Sequence, residues 1–143
     1  MKNTLSENQI KQLVAGALEA RNNAHVPYSG YAVGASLLTE DGRIYNGCNI
    51  ENACYGATNC AERTAFFKAV SEGEREFLAI AIAGGLAGQS PEDYAYPCGI
   101  CRQVMKEFCK ETFQIIVVKS NTDYQIFTLE ELLPHGFGGD AIR

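Results

Sequence analysis

Apolar positions along the chain follow two rhythms that alternate, one at the spacing of a helix face and one nearly continuous. Ile10, Leu13, Val14, Ala17 and Leu18 share a helix face, and Ser6 with Gln9 ahead of them forms a capping box. The pattern predicts a first helix ending near Arg21. After the loop H-V-P-Y-S-G, residues 31–39 predict a strand, Asp41-Gly42 a hairpin turn and residues 43–50 the returning strand. A second helix is expected from about Cys60 to Gly73. Residues 77–83, F-L-A-I-A-I-A, are too short and too uniformly apolar for an amphipathic helix and predict a strand buried on both faces. Residues 84–97 then predict a loop, and residues 99–110 a third helix with Val104 and Phe108 turned inward. Residues 115–118 and 124–128 predict two more strands, and residues 129–133 a short final helix.

The order is αββαβαββα, and apolar strands alternating with helices imply an α/β fold. The expected architecture is a three-layer α/β/α sandwich around a mixed five-stranded sheet. A length of 143 residues suits one domain spanning residues 1–143, and no repeat or linker divides it. Hydrophobic residues at 46% and charged residues at 20% describe an ordinary globular composition. A net charge of -5 offers no basic footprint for a phosphate backbone, so nucleic acid is not an expected partner. No apolar run approaches the roughly 20 residues of a membrane helix, and the N-terminus lacks the apolar stretch of a signal peptide. A cytoplasmic chain is therefore expected, and its six cysteines are not expected to form a disulfide framework.

The cysteines change the picture. Pro97-Cys98-Gly99-Ile100-Cys101 sets two thiols three residues apart at the start of the third helix, so both can face one ion. Cys60 opens the second helix. If the buried strand 77–83 links the two helices, both N-termini reach one edge of the sheet and three thiols meet there. Two helix N-termini, each worth roughly half a positive charge, would favour an anionic thiolate cluster. Glu62, two residues after Cys60, can share that site only if Cys60 takes the non-helical cap position. Three protein ligands leave a tetrahedral zinc one open position, the mark of a catalytic site. Water held there ionises near neutral pH, and a nearby carboxylate that is not a ligand can shuttle its proton. Zinc deaminases of nucleobases combine these parts: cysteine or histidine ligands with a glutamate outside the ligand set.

C-A-E-R-T-A at residues 60–65 and P-C-G-I-C-R-Q-V at residues 97–104 resemble cytidine deaminases of the small, homotetrameric class. So do V-P-Y-S-G-Y-A-V-G-A at 26–35, N-I-E-N-A at 49–53 and E-L-L-P-H-G-F-G at 131–138. The resemblance implies hydrolysis of cytidine and deoxycytidine to uridine and deoxyuridine with release of ammonia, as in pyrimidine salvage. It implies one Zn²⁺ per subunit on Cys60, Cys98 and Cys101, with Glu62 as the proton shuttle and Arg63 offsetting the thiolate charge. Asn49 and Glu51 would bind the ribose hydroxyls. The Ala61 N–H would meet the base carbonyl, the Tyr96 carbonyl the amino group, and Tyr31 would stack on the base where the family usually has phenylalanine. Tyr55 and Phe137 match positions that complete a neighbouring subunit's pocket, which implies a homotetramer.

Two other readings compete. A blasticidin S deaminase-like aminohydrolase shares the C-A-E and P-C-G-x-C-R-Q-V motifs. A non-catalytic zinc module would use Cys54 as a fourth ligand and leave Glu62 without a role, although C-x5-C is poor spacing for such a site. Cys48, Cys54 and Cys109 are expected to be buried thiols without chemistry. His25 and His135 are expected in solvated loops.

Overall fold

The protein is described here by a computed structural model covering residues 5–142; Met1–Thr4 of the polar N-terminal segment and Arg143 lie outside the described residues. Helix α1 (Glu7–Ala20) begins with the expected box: the Ser6 hydroxyl accepts from the Gln9 N–H at 3.0 Å, and the Gln9 side chain accepts from the Ser6 N–H at 2.9 Å. Leu13, Val14 and Ala17 form its buried stripe. Strands β1 (Tyr31–Thr39) and β2 (Ile44–Cys48) pair antiparallel, with Gly42 at φ 93° in the turn that joins them. Helix α2 (Ala61–Ser71), strand β3 (Phe77–Leu86), helix α3 (Gly99–Phe108), strands β4 (Gln114–Val118) and β5 (Tyr124–Thr128), and the short helix α4 (Leu129–Leu132) follow in the expected order.

Among the described residues the sheet has five strands in the order β2-β1-β3-β4-β5. Only β3 and β4 are parallel, joined across α3; the other neighbours are antiparallel. The central strands β1, β3 and β4 are buried on both faces because alternate residues serve different layers. Ile80, Ile82, Ile115 and Val117 pack with Phe66 of α2 and Met105 of α3. Ala79, Ala81, Ala83, Ile116 and Val118 pack with Leu13 and Val14 of α1. Each fully buried branched side chain contributes about 1.5–3 kcal/mol. The expected α/β/α sandwich is the observed one.

Several boundaries shift from expectation, and three of the shifts have a visible cause or consequence. Strand β3 continues past Ala83 to Leu86, because Gly84, Gly85 and Leu86 still pair with Val33, Ala32 and Tyr31 of β1. The loop therefore starts at Ala87, not Gly84. Strand β2 stops at Cys48, not Ile50. There the Asn49 N–H still donates to the Val33 carbonyl at 3.1 Å, while its side chain takes the next bonds along β1, donating to the Tyr31 carbonyl at 2.9 Å and accepting from the Val33 N–H at 2.9 Å. Helix α3 ends two residues early, at Phe108, where Cys109 turns extended. Val104 and Phe108 pack against the core as expected, though half-buried, and the fully covered line of α3 runs through Cys101 and Met105.

Two glycines set the distance between the helices and the sheet. A Cβ on Gly34 would lie 2.1 Å from the Ala17 carbonyl of α1. A Cβ on Gly47 would lie 2.6 Å from the Ala65 nitrogen and 2.7 Å from the Ala61 carbonyl, so α2 rests directly on β2. Because these neighbours are backbone, nothing can rotate aside. Gly47→Ala is expected to cost about 2 kcal/mol through overpacking and to lower the thermal midpoint by several degrees, read by circular dichroism. An unchanged midpoint would refute the close approach.

Candidate active site

Helix α2 runs into β3 and β3 runs back toward α3, both helices lying on the same face of the sheet. Their N-termini consequently meet at the C-terminal end of β3. Cys60 is the N-cap of α2 (φ -75°, ψ 158°) and Cys98 the N-cap of α3 (φ -70°, ψ 169°). The non-helical position inferred for Cys60 is the observed one. The Cys98 sulfur accepts from the Cys101 N–H at 3.4 Å, doing the work of a serine or aspartate cap. The Cys60 and Cys98 sulfurs are 3.7 Å apart, and with Cys101 all three lie within 4.8 Å of one another.

The three thiols bias one another's protonation. A hydrogen bond from Cys101, with help from Arg63 and Cys98, holds the Cys60 thiol down at about 5. The same bond and burial push Cys101 far up. One thiolate is therefore stabilised at its neighbour's expense. The Arg63 guanidinium donates to Cys60 Sγ at 3.3 Å and also bonds Cys101. Its Nε is buried with no hydrogen-bond partner among the described residues. Three converging soft donors at two helix N-termini, with one arginine against them, fit a thiophilic divalent ion such as Zn²⁺.

Glu62 sits in the first turn of α2 and is 4% exposed. Burial raises its carboxyl to about 7, with the Cys60 charge adding to the effect. It lies outside the three-thiol group but lines the same cavity. That cavity holds about 320 Å³ and is bounded by Tyr31, Asn49, Cys60, Glu62, Tyr94 and Tyr96 among others, with Ala61 also in its wall. Thr64 pins the turn by donating to the Cys60 carbonyl at 3.1 Å. Larger hollows, of about 560 Å³ beside Arg21 and about 430 Å³ beside Lys68, gather no comparable chemistry.

Not every candidate residue reaches this cavity. Glu51 lies in an adjoining hollow with Tyr28, Ser29 and Tyr55, and Thr58 borders both. Its carboxylate accepts from the Tyr28 and Ser29 N–H groups at 3.0 and 3.1 Å and from the Ser29 hydroxyl. The Ser29 hydroxyl bond leads in holding its pKa below the usual range. Tyr55 is 76% exposed and packs edge-on against Tyr28. Phe137 is 58% exposed and is not among the residues lining the cavity of its own chain.

The expectation that Cys54 is buried is corrected: it is exposed, in a surface turn where its N–H donates to the Asn52 side chain at 2.8 Å. It is not part of the thiol cluster, so the four-cysteine reading loses its fourth ligand. Cys48 and Cys109 are half-buried, and burial raises both thiols. His25 and His135 are exposed, as expected. Sequence reasoning missed Tyr94 as a wall of the cavity. Its only signal was its position two residues before Tyr96, in the run that leads to Cys98.

Comparison with known proteins agrees with this constellation. The family model for the cytidine and deoxycytidylate deaminase zinc-binding region matches residues 7–117. A cytidine deaminase of Sporosarcina psychrophila is 48% identical over 133 residues, covering 93% of this chain and 94% of that protein. The crystal structure of a cytidine deaminase from Burkholderia pseudomallei superposes with a TM-score of 0.82 at 41% identity, covering 93% of this chain and 100% of the other. A blasticidin-S deaminase of Bacillus cereus is more distant, 30% identical over 105 residues, covering 71% of this chain and 74% of that protein. The chain belongs to the zinc-binding cytidine and deoxycytidylate deaminase family, and Zn²⁺ is its cofactor.

Replacing Cys101 by serine is expected to drop the zinc content well below one per chain, counted by plasma mass spectrometry. Because the ion binds only the folded chain, saturating zinc should be worth about 4 kcal/mol at a thousandfold excess over Kd, so the midpoint should fall with it. Cys54→Ala should leave the zinc count unchanged. Loss of zinc in that variant would restore a fourth ligand.

Proposed function

We propose that this chain hydrolyses cytidine and deoxycytidine to uridine and deoxyuridine, releasing ammonia, with Cys60, Cys98 and Cys101 holding the zinc. The observation that carries the reading is a buried carboxyl, Glu62, poised near neutrality beside a three-thiol cluster in a cavity with room for a nucleoside. When bound, Zn²⁺ supplies Lewis acidity that brings the pKa of a coordinated water to about 7. Glu62 takes a proton from the attacking water and delivers it to ring N3 as oxygen adds at C4. It then takes the proton of the new C4 hydroxyl and delivers it to the amino group, which leaves as ammonia when the C4–N bond breaks. A group with its midpoint near the working pH does both steps well. Arg63 holds thiolate charge in check through its bonds to Cys60 and Cys101.

The rest of the cavity orients the nucleoside. The Ala61 N–H, free in the first turn of α2, meets the base carbonyl. The Tyr96 carbonyl accepts from the amino group, and the Tyr31 ring stacks on the base. Asn49 spends one donor and one acceptor on Tyr31 and Val33, which leaves one N–H and one lone pair for a ribose hydroxyl. Glu51, its carboxylate fixed by Ser29, receives another ribose hydroxyl across Thr58. Tyr55 and Phe137, exposed and away from their own chain's cavity, complete a neighbour's pocket in a homotetramer. The chain works as one domain spanning residues 1–143, in cytoplasmic pyrimidine salvage. An acidic chain does not suit a polynucleotide substrate, and no described helix is long and apolar enough to cross a membrane.

The test is the loss of ultraviolet absorbance on mixing with cytidine, run beside blasticidin S. Cytidine is expected to turn over and blasticidin S to remain. Glu62→Gln should keep one zinc per chain and lose about 10²- to 10⁴-fold in kcat. Substantial kcat in that variant would sink the mechanism.

A further inference from the structure

From Ala87 to Cys98 the chain connecting β3 to α3 has no regular structure, yet its last residues supply both a thiol of the cluster and a wall of the cavity. What holds them is a row of side chains at the start of β5. Asp123 closes the turn just before the strand, and Gln125 and Phe127 follow at the two-residue spacing that shares one strand face. The Tyr94 hydroxyl donates to the Asp123 carboxylate, with the Gln125 side chain close to the same hydroxyl. Two residues on, the Tyr96 ring packs against Phe127 at a centroid distance of 5.9 Å and 57°. Asp123 is itself fixed in the β4–β5 turn, where its carbonyl accepts from the Lys119 and Ser120 N–H groups at 2.8 and 3.0 Å.

Building on the proposed deaminase reading, we infer that Asp123 is a positioning residue for the substrate wall, acting through the Tyr94 phenol that it anchors. Packing alone does not call for the hydroxyl. Tyr94 joins the hydrophobic cluster through its ring, and a phenylalanine would pack equally well there. The hydroxyl adds a charge-assisted bond, which is directional and stronger than a neutral one. It fixes a ring that lines the same cavity as Glu62 and Cys60. Because Asp123 is exposed, the bond adds little to global stability, while it decides whether the wall stands in place before substrate arrives. A wall of this kind contacts substrate and transition state alike, so its loss falls on KM and not on kcat.

The experiment compares Asp123→Ala, Tyr94→Phe, their double variant and Asp123→Asn, whose amide oxygen still accepts. KM and kcat for cytidine are measured with zinc per chain and thermal midpoint. Asp123→Ala and Tyr94→Phe are each expected to raise KM about fivefold, the size of one lost hydrogen bond, with kcat within about twofold. The double variant should be no worse than either single one, and Asp123→Asn should restore most of the loss. Zinc content and midpoint should hold throughout. An unmoved KM, or single effects that simply multiply in the double variant, would overturn the role of Asp123 while wild-type turnover stands. Absence of cytidine turnover by the wild-type chain would overturn the proposed function and this role with it.

Discussion

Three sulfurs within 4.8 Å of one another cannot all carry charge unless something positive stands among them. Most of what is specific about this molecule answers that constraint. Two helices point their N-termini at the cluster, so their dipoles favour anions there. Cys60 and Cys98 occupy cap positions, where side chains reach past the helix end instead of along its flank. Arg63, a single turn further on, leans back against Cys60. The divalent ion completes the balance that backbone dipoles and one guanidinium begin.

That geometry is inherited from the sheet. Because β3 runs between α2 and α3, the two N-termini share one edge, and because β3 is buried on both faces it cannot slip in register. The absence of a Cβ at Gly47 lets α2 settle on β2 with its first turn beside the cavity. Glu62 is then buried by the same packing that places Cys60. Its raised pKa is a by-product of the fold's closeness at this point, since burial is the leading cause.

Much of this was legible in the sequence, and the exceptions share a physical cause. Helix faces, the Ser6 capping box and the apolar strand 77–83 announced themselves through spacing. The cap position of Cys60 followed from a single requirement, that it share a site with Glu62. The end of β3 did not show, because Gly84 and Gly85 pair through backbone and leave no hydropathy signal. The end of β2 did not show, because past the Asn49 N–H it is the Asn49 side chain that continues the bonding to β1. Cys54 looked buried only because cysteines usually are. The Tyr94–Asp123 bond joins residues 29 apart in the chain, and only the strand order brings them together.

The two sides of the sheet carry unequal obligations. The isoleucine-rich face supports both helices that bear the thiols, while among the described residues the alanine-rich face of β3 packs with α1 and with Leu5 just ahead of it. A change in Leu13 or Val14 is separated from the cavity by the thickness of the sheet, and its energetic effect adds independently of changes near the cluster. The fold thus divides into a half committed to chemistry and a half free to drift. Lineages can retune the durability of the scaffold through α1 without renegotiating the reaction.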